Sequence, residues 1–278
     1  MKRKITIFLI ITLIILIFRN YNIVLVSVIK ACNIWFFKVF PYLFIMIIIQ
    51  DILLKLDIVN YFKNISDYIF FMSMLSGTPS SAYIISKLVN DNVITKEYGN
   101  ICLIFTYFAN PLFLYTILNL IFKNSMITAK LLIIIYFSNL ILYLFYKKRL
   151  PTIRFVSNNS NINISSSIKN SIDTNLMVLG TIVFYFIISN LLIHTFNPPE
   201  CIEIFMRGVL EMTQGLNSLI NLNIVFKDVI TIFFITFGGL SIHTQVKCIL
   251  DNANLDYKFF LKGRILQVII ALIITIIT

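Results

Sequence analysis

Apolar runs alternate along the chain with short polar, basic or Asn/Ser-rich stretches, and several of the runs are broken inside by polar residues, Gly or Pro. Lys2-Arg3-Lys4 precedes an apolar run over residues 5–18. This shares the basic and apolar regions of a signal peptide, but Arg19-Asn20-Tyr21-Asn22 follows instead of a small-x-small cleavage site, which predicts a retained first span, tilted or extended toward Ile29. Residues 24–38 mix apolar positions with Lys30, Asn33, Lys38 and the single tryptophan, Trp35, and predict an interfacial helix ending before Pro41. Residues 40–54 read as the second span. After the polar stretch 55–68, residues 69–89 are apolar at both ends but carry Ser76-Gly77-Thr78-Pro79-Ser80-Ser81 in the middle. Bare backbone at membrane depth is tolerated only where it is buried or lines a cavity, so this segment predicts a re-entrant hairpin with its tip at Gly77–Pro79. The run 98–122 is interrupted by Asn110-Pro111, where proline removes a backbone donor and frees carbonyls one turn back. Residues 129–146 form a plain span ended by Lys147-Lys148-Arg149.

The second half repeats the order. Residues 150–175 are rich in Ser and Asn and predict a linker with a surface helix at about 160–174. A span at 176–196 ends in the turn Asn197-Pro198-Pro199-Glu200. Residues 201–224 are apolar but hold Glu203, Arg207, Glu211, Thr213, Gln214 and Gly215, which predicts a second hairpin with its tip near 211–215. Residues 229–250 form a span broken at Gly238-Gly239, and 263–278 the last span. The expected fold is an all-α polytopic membrane protein with two repeats, each with a re-entrant hairpin and a broken helix. The parts are an anchor at 1–22, a first repeat at 23–149, a polar linker at 150–167 and a second repeat at 168–278. Paired interruptions of this kind point to the binding site of a transporter.

Composition decides the class. The chain is 59% hydrophobic and 13% charged, where a soluble domain carries about 25% charged residues. Lipid must cover the surplus apolar surface. The net charge of +11 sits at the ends of apolar runs without a nucleic-acid recognition motif, so it reads as a topology signal, and nucleic acid is excluded as a partner. With a cytoplasmic N-terminus and hairpins that return to their starting side, segments 2–4, 55–96, 147–169 and 247–264 lie inside and hold 16 of the 23 Lys and Arg. The hairpins then enter from opposite sides, and the repeats are inverted. The four cysteines are far apart, with no C-x-x-C and no metal spacing, and read as unpaired thiols. Nucleotide-binding, hydrolase and metalloprotease motifs are absent, so neither an enzyme nor a cofactor or metal is expected.

The candidate chemistry lies at the interruptions. Glu211, a carboxylate in an apolar stretch, costs about 2.5 kcal/mol or more at a helix centre, so it is functional or paired, with Arg207 one turn earlier as the structural partner. Ser76, Thr78, Ser80 and Ser81 offer hydroxyls beside Gly77 and Pro79, either for an anionic group at a helix start or as caps of two half-helices. Gly238-Gly239 with Ser241, His243 and Gln245 places polar groups at a break, where His243 is a proton site or a hydrogen-bonded packing residue. Asn110 faces a cavity in the same reading.

Three motifs carry a resemblance. Residues 75–82 (LSGTPSSA), 208–215 (GVLEMTQG) and 237–245 (FGGLSIHTQ) resemble the S-G-x-P-x-G-A, G-x-L-E-x-T-x-G and F-G-G-L-S-x-H-x-Q segments of the YlbJ-type sporulation integral membrane proteins. Asn110-Pro111-Leu112-Phe113 resembles their G-P-x-F. The order and spacing hold from about residue 31 to the end. That family belongs to the nucleoside-recognition gate group, which is similar to concentrative nucleoside transporters. The resemblance implies a carrier or facilitator in the mother-cell-derived outer forespore membrane. Its solute would be small and anionic, above all dipicolinic acid moved from mother cell toward forespore, with a coupling ion if one is used. A nucleoside-like solute, or a non-transporting scaffold for spore-envelope assembly, are the alternatives. The partners are the lipid bilayer, the solute and, by analogy alone, further copies of the chain. The residues carried over are Ser76, Gly77, Pro79, Glu211, Thr213, Gly215, Gly238, Gly239, Ser241, His243 and Gln245. With Thr78, Ser80, Asn110 and Gln214 they make up the expected substrate site. Departures fall at Ser80-Ser81, where the family often has Gly, and at Asn110, which stands where Gly precedes Pro.

Overall fold

The computed structural model describes residues 2–56, 58–153 and 163–278, and the regular structure among them is helical throughout. Helix α1, Lys2–Arg19, leads into α2, Tyr21–Ile34, which continues through a π-helical turn, Trp35–Val39, into α3, Phe40–Lys55. The interfacial helix expected at 24–38 is therefore the first part of one long apolar rod of 35 residues. Pro41 does not end it. A proline in a regular helix clashes with the carbonyl four residues back. Here the widened turn, in which the Phe40 N–H reaches back five residues to the Trp35 carbonyl, accommodates the ring.

Helices α4, Ile65–Ser76, and α5, Ser80–Asn90, flank Gly77-Thr78-Pro79. At about 1.5 Å per residue each is under 20 Å long, too short to cross a hydrocarbon core of about 30 Å. The next broken element is α6, Lys96–Cys102, a non-helical stretch over 103–110, and α7, Pro111–Phe122; α8, Ser125–Lys147, follows. Helix α9 runs unbroken from Ile164 to Phe196, so the surface helix expected at 160–174 and the span after it are one element, starting inside the expected linker. The rest of that linker, residues 154–162, lies outside the described residues. The second half continues with α10, Glu200–Leu210; α11, Met212–Ser218; α12, Lys227–Phe237; α13, Gly239–Asp251; and α14, Tyr257–Ile277.

Among the described residues, five helices are long and apolar enough to cross a membrane. The outward faces carry large apolar side chains, among them Phe8, Ile133, Ile269 and Ile273, while Gln50, Asp51, Asn139, Glu211, Arg264 and Gln267 are buried. Apolar outside and polar inside is the arrangement lipid imposes, because polar groups are expensive at membrane depth unless they turn inward. The chain is a multi-pass integral membrane protein. Helix α9 packs along α2 and α3, where the Ser171 hydroxyl donates to the Phe44 carbonyl, and α12 packs against α14, which in turn packs against α8.

Candidate functional site

The tip of the first helix pair rests on the first break. Gly77 has φ +79°, and a Cβ there would lie 2.8 Å from the Asn110 nitrogen. The Thr78 N–H donates to the Phe108 carbonyl at 2.7 Å. A wholly buried amide, Gln50 on α3, clamps both arms: it donates to the Ser76 hydroxyl and accepts from the Ser80 hydroxyl. Sequence reading missed Gln50. The available signal was the polar pair Gln50-Asp51 inside the otherwise apolar run 40–54. Asn110 caps α7, its side-chain oxygen accepting from the N–H groups of Leu112 and Phe113 at 3.0 and 3.2 Å.

The second tip rests on the second break in the same way. Glu211 stands between α10 and α11 with 2% of its surface exposed. Its carboxylate caps α11, accepting from the Gln214 N–H at 2.8 Å and from the Thr213 hydroxyl. The Ser241 hydroxyl approaches the other oxygen at 3.5 Å. A Cβ on Gly239, whose φ is +68°, would meet the Met212 nitrogen at 2.8 Å. The pairing of Glu211 with Arg207 is not formed. Arg207 turns back to Glu203 at 2.8 Å and donates to Asn190. Both carboxylates stand four residues from Arg207 (Glu203 before it, Glu211 after), and Glu211 sits past the helix end, where its own cap holds it.

The two breaks meet each other. Tyr107 donates to the Ile235 carbonyl at 3.0 Å, one turn before Gly238. The carbonyl of Tyr107 is in turn held by the Asn139 amide of α8. Behind them lies Arg264, fully buried, its guanidinium 4.0 Å from the centre of the Tyr107 ring. It points one N–H group at the Thr236 carbonyl and another at the Ile104 carbonyl, each at 3.5 Å, and donates to Gln267. Those carbonyls close α12 and follow α6, where helix dipoles leave partial negative charge. Counted from sequence among the inside loop charges, Arg264 is instead an internal counter-charge to two broken helices.

Between the two tips opens a cavity of about 70 Å3. Ser76, Thr78 and Pro79 line it from the first tip, Asn110 from the first break, Glu211, Met212 and Thr213 from the second tip, and Gln245 from α13. Its apolar walls include Leu43, Phe113, Val178 and Ile182, and its one lining cation is Lys38, on the π-helical turn. The remaining expected residues do not face it. Gly77, Gly215, Gly238 and Gly239 serve close backbone packing, and Ser80 and Ser241 stand behind as partners of Gln50 and Glu211. Gln214 lines a separate cavity with Asn190 and Arg207. His243 is a packing residue in this structure. Its Nδ1 lies 2.6 Å from the Tyr257 hydroxyl and its Nε2 3.0 Å from the Phe237 carbonyl, with the ring against Phe237 and Phe260.

A mostly apolar lining with a few convergent polar groups is the chemical make-up of a small-molecule site. No family model matches the chain, and no solved structure matches it. The chain is 23% identical to the sporulation integral membrane protein YlbJ of Bacillus subtilis (strain 168), over 84% of this chain and 72% of that one. That similarity, extending over most of both chains, bears out the resemblance to the YlbJ-type proteins carried by the motifs.

Proposed function

We propose that the chain carries a small anionic solute across a membrane during spore formation, and that the solute is dipicolinic acid moved from mother cell toward forespore across the outer forespore membrane. The observation that carries this reading is the convergence of both tips and a helix break on one cavity that holds a lysine. The two short-armed pairs, α4–α5 and α10–α11, act in it as re-entrant hairpins of two inverted repeats, joined through the polar linker at 150–167. Several N–H groups of the first tip are already occupied, Gly77 by Ser73, Thr78 by Phe108 and Ser81 by Gly77. The solute's carboxylates are therefore received by the Lys38 ammonium, the Thr78 hydroxyl and the amides of Asn110 and Gln245, while Glu211 and Thr213 face its ring nitrogen, a proton or a coupling cation. The name of the B. subtilis relative supports the link to sporulation.

The test measures dipicolinic acid in spores and mother cells of a strain lacking the protein. Depleted spores beside mother cells that still make the acid are expected. Normal spore content overturns dipicolinate as the solute and returns the choice to a nucleoside-like solute or a scaffold.

A further inference from the structure

Lys38 is a cation without a counter-charge at membrane depth. It stands midway along the 35-residue rod Tyr21–Lys55, about 25 Å from either end at about 1.5 Å per residue. Among the described residues, no ion pair or hydrogen bond holds its ammonium. Tyr42, one turn further on in α3, likewise has no partner for its hydroxyl among them. Glu211 is the one carboxylate lining the central cavity with Lys38, and it is engaged in capping α11. A charge at this depth is expensive unless paired, so an unpaired lysine here points to a ligand.

Lys38, Tyr42 and Phe113 line two cavities at once. One is the central cavity, and the other is a groove between the π-helical turn and α7. Helix α7 packs against α8, α11 and α4, and it gives the groove a stripe at i, i+3, i+4 and i+7: Phe113, Thr116, Ile117 and Leu120. Phe37 of the π-helical turn completes the wall. Phe37 and Leu120 are 71% and 43% exposed, so the groove opens on the outward face that lipid covers. The Thr116 hydroxyl donates to the Leu112 carbonyl of its own helix, and no carboxylate lines the groove. Its free donors are therefore those of Lys38 and Tyr42, at the end shared with the central cavity.

We infer that this groove binds a long-chain carboxylate drawn from the lipid phase. The carboxylate sits on the Lys38 ammonium and the Tyr42 hydroxyl, and the chain runs along Phe37 and the α7 stripe into the bilayer. Depth selects the class. A phospholipid headgroup stays at the surface of the hydrocarbon core, about 15 Å from its midplane. A carboxylic acid can cross hydrocarbon in its neutral form, and a neighbouring ammonium favours its carboxylate once it arrives. Under the carrier reading this ligand and the solute exclude each other at Lys38, but the binding itself needs no transport.

The test reads binding alone. The full chain in phosphatidylcholine liposomes is irradiated with a palmitic acid analogue that carries a diazirine in its chain. A parallel sample receives the corresponding alcohol at the same membrane concentration, and labelled residues are located by mass spectrometry. The acid is expected to label Phe37 and residues 113–120 about tenfold more than the alcohol, the ratio that one charge-assisted hydrogen bond supplies. Excess unlabelled palmitate is expected to abolish the difference. Lys38→Met is expected to bring the acid down to the level of the alcohol, and Lys38→Arg to keep most of its advantage. Labelling of the exposed Ile133 and Ile269, equal for both probes, checks that each variant is inserted as the parent is. The comparison of acid with alcohol in the parent stands without any variant. Equal labelling of the groove by both probes, or an acid advantage that survives Lys38→Met, would leave it an ordinary lipid contact and overturn the inference. Selective labelling by the acid in liposomes that take up no dipicolinate would support the site while the carrier reading fails.

Discussion

Tyr107 lies over Gly238 so closely that a Cβ on the glycine would stand 2.4 Å from the tyrosine hydroxyl oxygen. This contact joins the first helix break to the second, and it explains why residue 238 has no side chain. Gly238 also has φ +89°, a backbone conformation that an L side chain resists on its own account.

Gly238→Ala therefore meets two penalties, a clash and a strained backbone. The conformational part alone is about 1–2 kcal/mol. We expect a lower unfolding temperature in detergent, read by tryptophan emission or by loss of a monodisperse peak on heating. Tyr107→Phe also removes the bond to the Ile235 carbonyl, so the comparison is made within that background: Gly238→Ala is expected to cost less in Tyr107→Phe than in the parent, since the clash eases while the strain stays. No cost at all in that background would show that the backbone at 238 carries no strain.

The breaks were legible in the sequence because Gly, Pro and carboxylates inside apolar runs have few bland explanations. Gly77-Thr78-Pro79, Asn110-Pro111, Glu211 and Gly238-Gly239 all fall at or beside helix ends. Continuity was less legible. The polar residues of 160–174 suggested a surface helix, yet Ser171 bonds the Phe44 carbonyl and Asn170 bonds Asp51, each more than 100 positions away. Periodicity cannot reveal a partner that distant. Pro41 suggested a stop for a related reason, as a widened turn leaves no mark in the pattern of apolar positions. Gln50 and Lys38 stand in the sequence as polar residues in or beside apolar segments, but nothing local says that one clamps the α4–α5 pair and the other faces the central cavity.

Arg264 shows how a basic residue near the end of a run can be misread. Its planar guanidinium serves two carbonyls and Gln267 at once while lying against the Tyr107 ring. A lysine ammonium has neither the fork nor the flat face. Arg264→Lys is expected to lower stability by about 1–3 kcal/mol, the cost of leaving a buried acceptor unsatisfied. Arg264→Met is expected to lower it further. Thermal unfolding in detergent compares the three proteins, and an Arg264→Lys protein as stable as the parent would mean that the charge alone, and not the fork, holds the breaks together.

Glu211 caps α11 and, in the proposed function, also holds a proton or cation; one substitution separates the two. As a cap it needs only an oxygen that accepts from Thr213 and the Gln214 N–H, and an amide oxygen serves. As a holder of a proton or cation in the cavity it needs the charge. Glu211→Gln is therefore expected to fold and unfold nearly as the parent does, within about 1 kcal/mol, while Glu211→Ala loses the cap and destabilises by about that much or more. The transport prediction runs the other way: both variants are expected to carry dipicolinate into liposomes poorly, with Glu211→Gln about tenfold slower than the parent, corresponding to about 1.4 kcal/mol in the limiting step. A Glu211→Gln protein that transports at the parental rate, with the parental dependence on pH, would leave Glu211 as a helix cap whose burial beside the cavity has no part in coupling. A stable, inactive Glu211→Gln beside a stable, active Ser241→Ala would assign the coupling to the carboxylate itself and leave its 3.5 Å neighbour as support.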